Sequence, residues 1–172
     1  LPLGPLVLAA LAVPVVAGAA GLTLLQQRVW SSDEALFRHA VAVTRGNFIA
    51  HHNLGYALGT QGRCAEAVVE EREAIRLRPD WVEVDKFYRG LAACLEQLGR
   101  PDEAVDAYRR ILELNPRDQA ALNDLGIVLA NRGDIAGAVA HYRAAVRTLP
   151  ADAQLRSNYS MALERAGDVR ES

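Results

Sequence analysis

The chain has 172 residues, 51% of them hydrophobic and 23% charged, with a formal net charge of −2. That length suits one ordinary domain with an appendage and is ample for a core. A single lysine, Lys86, and a slight acidic excess exclude a basic footprint for nucleic acid, and two cysteines, Cys64 and Cys94, exclude a disulfide framework or a zinc ribbon.

The charge is not evenly spread. Leu1 to Gln27 carry none, and all 19 Lys/Arg and 21 Asp/Glu residues lie from Arg28 onward, so the mean hydropathy of +0.01 averages two different materials. Leu1 to Leu25 hold Leu, Ala, Val, Gly and Pro with one hydroxyl, Thr23. As a helix this run reaches roughly 37 Å against about 30 Å of bilayer hydrocarbon. A helix is also the form in which a single spanning segment satisfies its own backbone. A secretory signal would need a basic leading region and a shorter apolar run, and a buried helix uncharged on every face is unusual in so small a domain. Residues 1–27 are therefore expected to be a transmembrane helix, kinked near Pro14 and placing the chain at a membrane. Gln26, Gln27, Arg28 and Trp30 form its interfacial end. Arg28, Arg38 and Arg45 behind the span favour a cytoplasmic side for the remainder of the chain, on one flank alone. The one methionine, Met161, leaves no start residue, and the sequence reads as a fragment or a processed product.

Residues 28–47 are expected to hold a short junction and one helix over Ser32 to Val43, N-capped by Ser31 or Ser32 with Asp33 and Glu34 in its first turn. From residue 48 the sequence repeats. Asn53 to Leu58, Gly90 to Leu95, Asp124 to Leu129 and Asn158 to Leu163 align. Each is followed at one offset by a glycine: Gly62, Gly99, Gly133 and Gly167. Three continue to an alanine (Ala67, Ala104, Ala138) and a proline (Pro79, Pro116, Pro150). The last two intervals are 34 residues and the first is 37, its extra residues falling near Trp81 to Asp85. Each unit reads as two antiparallel helices. Gly55, Ala92, Gly126 and Ser160 let the first approach the second closely, the following glycine serves as a left-handed cap, and the proline ends the second helix. No unit buries its apolar face alone, so neighbours must stack.

These segments resemble tetratricopeptide repeats, which share the period, the small residue of the first helix, the alanine of the second and the closing proline. The resemblance implies an all-α solenoid over residues 48–172, with repeats at 48–81, 85–118 and 119–152 and a partial one at 153–172. The helix over Ser32 to Val43 has the spacing of an isolated second helix, with Phe37 and Ala40 where Tyr142 and Ala145 sit. Trp30 to Phe37 and Ala50 to Gly55 also look like the C-terminal part of bacterial membrane proteins in which a glycosyltransferase-like domain of the protein O-mannosyltransferase type precedes such repeats. That likeness implies repeats outside the cytoplasm, against the arginine signal, and catalytic residues upstream of this chain.

The family's concave groove is lined by first helices. Here its positions hold Ile49, His52, Asn53 and Tyr56, then Lys86, Arg89, Gly90 and Ala93. Ala120, Asn123, Asp124 and Ile127 come next, then Gln154, Ser157, Asn158 and Met161. The peptide-binding residues expected from this set are His52, Asn53, Tyr56, Lys86, Arg89, Asn123, Asp124, Ile127, Ser157 and Asn158. Asn53, Asp124 and Asn158 share one register and resemble the asparagine ladder of O-linked N-acetylglucosamine transferases, which Gly90 interrupts. An amide there can hold a peptide backbone without reading its side chains; equally, the residues suit a solvated concave face. The Lys/Asn pattern of repeats that clamp a C-terminal carboxylate is not reproduced, although Lys86 and Arg89 can reach an acidic partner.

His51 and His52 are adjacent, point apart on a helix, and have no third ligand of suitable spacing. Cys64 and Cys94 read as small packing residues, and Glu70 to Glu73 as a solvated face with a Glu73–Arg76 pair. No nucleophile, base and orienting residue form a recognisable motif, and no glycine loop cradles phosphate. The expectation is a non-catalytic, membrane-anchored scaffold with no metal or cofactor, binding a protein or extended peptide. The alternative is the acceptor-presenting region of a membrane glycosyltransferase.

Overall fold

The computed structural model describes residues 32–171. They form eight α-helices: α1 (Asp33–Val43), α2 (Phe48–Thr60), α3 (Cys64–Leu77), α4 (Val84–Gln97), α5 (Pro101–Leu114), α6 (Gln119–Asn131), α7 (Ile135–Thr148) and α8 (Ala153–Glu171). Each packs on the next in the chain, and first helices also lie side by side, α2 on α4 and α6 on α8. The result is an all-α solenoid of three helix pairs, with α1 as a half unit ahead of them and α8 behind. Among the described residues no helix is long and apolar enough to cross a membrane. The span expected at residues 1–27 and its junction to Ser31 lie outside the described residues.

The turns arise from residue chemistry. After α2, α4 and α6 the chain places Gly62, Gly99 and Gly133 at φ values of +76°, +67° and +86°. The next amide then reaches back to the helix. Arg63 donates to the Leu58 carbonyl at 3.0 Å, Arg100 to Leu95 at 2.9 Å and Asp134 to Leu129 at 2.9 Å. This Schellman closure satisfies carbonyls that a helix end leaves open, and the left-handed residue it needs is a glycine. After α3, α5 and α7 the device differs. Arg78, Asn115 and Leu149, each followed by proline, sit at φ of −143°, −136° and −138°, because the proline ring bars the residue before it from the helical region. Asn47, Asp118, Asp134 and Asp152 accept first-turn amides as N-caps, and Ser32 does so for α1.

Gly167 departs from the expected pattern. It carries no positive φ and α8 runs through it to Glu171. A left-handed turn is favoured when a second helix folds back to bury its face; there is none among the described residues, and the helix continues. For the same reason Ser160, expected at a close helix–helix contact, is exposed.

One main core runs along the solenoid through Leu54, Leu58, Ala67, Leu95, Ala104, Ile111, Leu125 and Ala138. Phe37 and Val41 of α1 pack against it, and Glu34 of α1 accepts from Arg63 Nη1 at 2.7 Å, which docks α1 on the first helix pair. The two neighbouring guanidinium groups, Arg38 and Arg63, hold the Glu34 carboxyl down to about 2. The residues that lengthen the first interval form a second, smaller core. Trp81 packs at a tilt of 59° against Phe48 with ring centroids 5.0 Å apart, and Ala74, Val84 and Phe87 complete the cluster.

Gly133→Ala and Gly167→Ala separate the two kinds of glycine. An alanine at position 133 meets no neighbouring atom but must adopt a left-handed backbone, a loss of about 1–2 kcal/mol. At position 167 it replaces a helical glycine in open space, a gain of up to about 1 kcal/mol. Urea melts read both; equal losses would restore Gly167 as a cap.

Candidate functional site

The face formed by the first helices carries three hollows. The largest, about 540 Å³, lies between α2 and α4 and is lined by His52, Tyr56, Lys86, Arg89 and, on its floor, Glu71. A second of about 280 Å³, between α6 and α8, holds Asn123 and Asp124. A third of about 260 Å³ holds Ile127, Asn158 and Met161. The residues expected in the groove therefore fall into separate hollows. Asn53 is half-buried and Ser157 exposed, and neither lines these three.

The polar rungs also differ in partner from a simple same-register ladder. Asn158 Nδ2 donates to Asn123 Oδ1 at 2.9 Å, bridging α8 to α6, and Asn123 Nδ2 donates to Asp124 at 3.1 Å. Gln154 donates to Asn158 Oδ1 at 2.9 Å. Asn158 retains one N–H and one lone pair for a ligand. Burial pushes the Asp124 carboxyl up, partly offset by the Asn123 amide and Arg89.

Glu71 corrects the sequence reading. The charged run around it predicts a solvated face, yet it is 1% exposed and is the one buried charged residue among those described. The Glu73–Arg76 pair is present, at 2.6 and 2.7 Å. Glu71 is buried because it is the eighth residue of α3, the register that Tyr108 occupies in α5 and Tyr142 in α7. That side chain points under the small residue of the first helix. A Cβ on Gly126 would stand 2.7 Å from the Tyr142 ring, and the Glu71 Cγ lies 3.0 Å from where a Cβ on Gly55 would be. A Cβ on Gly90 would fall 2.5 Å from Glu71 Oε1. The glycine that interrupts the asparagine register is thus the one that makes room for the carboxylate. The sequence does carry a signal for this: aligning the repeats sets Glu71 in a tyrosine column.

Among the described residues the carboxylate has one partner, His52 of α2, whose Nδ1 lies 2.9 and 3.2 Å from its two oxygens. Phe87 of α4 backs the imidazole with a centroid distance of 4.5 Å. With Nδ1–H given to the carboxylate, Nε2 is left as an acceptor. His51 turns the other way, to Glu70 at 2.7 Å, so the two histidines do not converge. The rim cations are engaged elsewhere. Lys86 Nζ donates to Glu83 at 2.6 Å, and Arg89 Nη2 donates to Asp118, the N-cap of α6, at 2.9 Å. The other terminal nitrogen, Arg89 Nη1, is buried without a partner among the described residues. Cys64 and Cys94 are buried free thiols beside the hollow, and burial pushes Cys94 up to about 12, so it stays protonated and inert at neutral pH.

Burial raises the Glu71 carboxyl above the ordinary value of 4.5, and the His52 contact offsets this only in part. The folded chain therefore holds the proton more tightly than the unfolded one. Stability falls as pH rises from about 4.5 through the raised value. Glu71→Gln removes that slope. The charged groups around position 71 are His52 on α2, Lys86 and Arg89 on α4, with the Cys94 thiol also facing it; none is altered by the change. Thermal melts at pH 4, 5.5 and 7 are expected to show the variant gaining on wild type with rising pH. A constant or shrinking difference contradicts the assignment.

Known proteins share this architecture. The photosystem I assembly protein Ycf3 of Prochlorococcus marinus is 25% identical over 83 residues, 48% of each chain. The chain thus spans about half the length of that relative. The protein O-mannosyl-transferase Tmtc2 of Drosophila melanogaster is 39% identical over 62 residues, covering 36% of this chain and 6% of Tmtc2. The crystal structure of YrrB, described as a tetratricopeptide protein with an unusual peptide-binding site, superposes with a TM-score of 0.69 at 22% identity. It covers 91% of this chain and 78% of YrrB. Models described as "Tetratricopeptide repeat" match residues 52–78, 83–118, 95–153 and 123–172. The chain belongs to the tetratricopeptide repeat family.

Proposed function

We propose that this chain is a non-catalytic, membrane-anchored scaffold that binds a protein through an extended segment laid along the first helices. The observation that carries the reading is the row of hollows on that face, which combines open hydrogen-bonding groups with exposed apolar side chains. Arg89 lines the largest hollow, and its Nη1 is a buried donor without a partner among the described residues. Asn158 keeps a free donor and acceptor, while Tyr56 and Met161 stand exposed beside the polar groups. YrrB, of the same fold, is described as having a peptide-binding site. The groove set of His52, Asn53, Tyr56, Lys86, Arg89, Asn123, Asp124, Ile127, Ser157 and Asn158 belongs to this proposal. So do the divisions at 1–27, 28–47 and 48–172, with repeats at 48–81, 85–118, 119–152 and 153–172. Lys86 and Arg89, already paired with Glu83 and Asp118, serve the ligand backbone more readily than an acidic side chain.

Anchoring by residues 1–27 rests on their uncharged length. The Tmtc2 match, together with the run from Trp30 to Phe37, supports a second reading. In it the repeats present acceptor polypeptide to a glycosyltransferase domain carried elsewhere in a longer protein, with the groove outside the cytoplasm.

The groove is tested by selecting extended peptides from a displayed library on the full chain in neutral detergent. Tyr56→Glu with Ile127→Glu is expected to weaken the selected peptides at least about tenfold, whereas Arg110→Glu on the second helix of the middle repeat is expected to leave them bound. Retention by the groove variant removes the reading. Anchoring is read separately: the full chain should float with liposomes, and a chain lacking residues 1–27 should not.

A further inference from the structure

The hollow between α2 and α4 differs from the rest of the groove in having an ionisable floor. Its walls are short: Gly55, Gly59, Gly90 and Ala93 bring no side chain beyond a methyl, and the Glu71 carboxylate lines the hollow from beneath Gly55 and Gly90. The Glu71 carboxylate is withdrawn from water with an imidazole as its single partner among the described residues, and it retains lone pairs for further donors. The nearby cations do not neutralise it, since Lys86 is held by Glu83 and Arg89 is drawn towards α6 by Asp118. At the mouth the Tyr56 ring is 65% exposed, an aromatic face without a partner in the fold.

A buried anion, a deep narrow approach and an aromatic rim are complementary to one kind of side chain. It must be long enough to cross the small-residue walls, cationic at its end, and flat enough to lie against a ring. We infer that the hollow between α2 and α4 takes the guanidinium group of an arginine in the bound peptide, with Glu71 as its ion-pair partner and Tyr56 stacked on it. This rests on the groove reading above and states which side chain the groove selects. A guanidinium offers parallel N–H donors to a carboxylate and stacks on an aromatic face, whereas an ammonium offers a more strongly hydrated point charge. Lysine is therefore the weaker occupant. In the repeats with Tyr108 and Tyr142, a ring fills the register that the Glu71 carboxylate holds here.

The test compares two fluorescein-labelled nine-residue peptides of alanine and serine, acetylated and amidated. One carries a central arginine and the other citrulline, which keeps the shape and loses the charge. Binding to the full chain in neutral detergent is monitored by anisotropy. The arginine peptide is expected to bind at least about tenfold more tightly, the worth of one charge-assisted contact. Glu71→Gln should bring the ratio near one, because it removes the charge that separates arginine from citrulline. Glu71→Tyr, which restores the side chain of the other repeats, should fold with a raised melting temperature and also lose the ratio. Equal binding of the two peptides by wild type, abolished by the Tyr56→Glu and Ile127→Glu pair, overturns arginine selection and leaves the groove. A ratio that persists in both Glu71 variants overturns the role of the carboxylate. Absence of binding by either peptide at millimolar concentration overturns both readings.

Discussion

The structure depends on one close contact, repeated: a small residue in a first helix over the eighth side chain of the second. Helices approach to this distance only where one of them lacks bulk. Gly126 over Tyr142 shows how little room is left, since any added carbon would overlap the ring. The contact sets the spacing of each helix pair, and the pairs then share a core because no apolar face is wide enough to close on itself. Ala67, Ala104 and Ala138 keep the second helix equally slim and are almost wholly buried. Change the side chain at the eighth position and the surface above it changes too, because that side chain lies directly beneath the groove.

The first repeat makes that change. Where the middle and last pairs bury a tyrosine, this one buries a carboxylate, and three other features accommodate it. Gly55 and Gly90 leave space for it, and His52 supplies a donor. The extra residues around Trp81 build an aromatic cluster with Phe48 and Phe87 that supports the imidazole. A buried carboxylate with one partner is a costly replacement for a tyrosine in stability. In the proposed groove that cost is recovered when a cationic ligand group meets the carboxylate. Elsewhere in the array buried hydrogen bonds are internal, as where Tyr108 donates to Glu96 at 2.7 Å.

The two ends of the described solenoid are treated differently. At the front, α1 supplies Phe37 and Val41 to the core and is pinned by Glu34 to Arg63, so the first complete pair is covered. At the back, α8 buries Leu155 and Ala162 against the last pair, while Leu163 stays exposed beside Val139 and Ala166. The helix passes Gly167 without turning. A turn glycine permits a bend; the bend is adopted where a second helix returns to bury apolar surface.

The family and the all-α arrangement of helix pairs were legible in the sequence, because each rests on local chemistry repeated at a fixed interval. Glycine at a left-handed cap, proline after a second helix and an apolar stripe at helical spacing act within a few residues of where they stand. The same pattern placed His52, Tyr56, Lys86 and Arg89 on one face, and the structure brings them into one hollow. What the local pattern misread was Glu71, whose register in the aligned repeats is the only sequence signal of its burial. Within its own helix that residue sits in a run of charge and reads as solvated. Only the tertiary arrangement, which lays α2 and α4 across it, removes it from water. The same holds for Asn123, which meets Asn158 from 35 residues away. Local propensity determines where helices begin and end; which polar side chains are buried, and against what, is decided by helices far apart in the chain coming into contact.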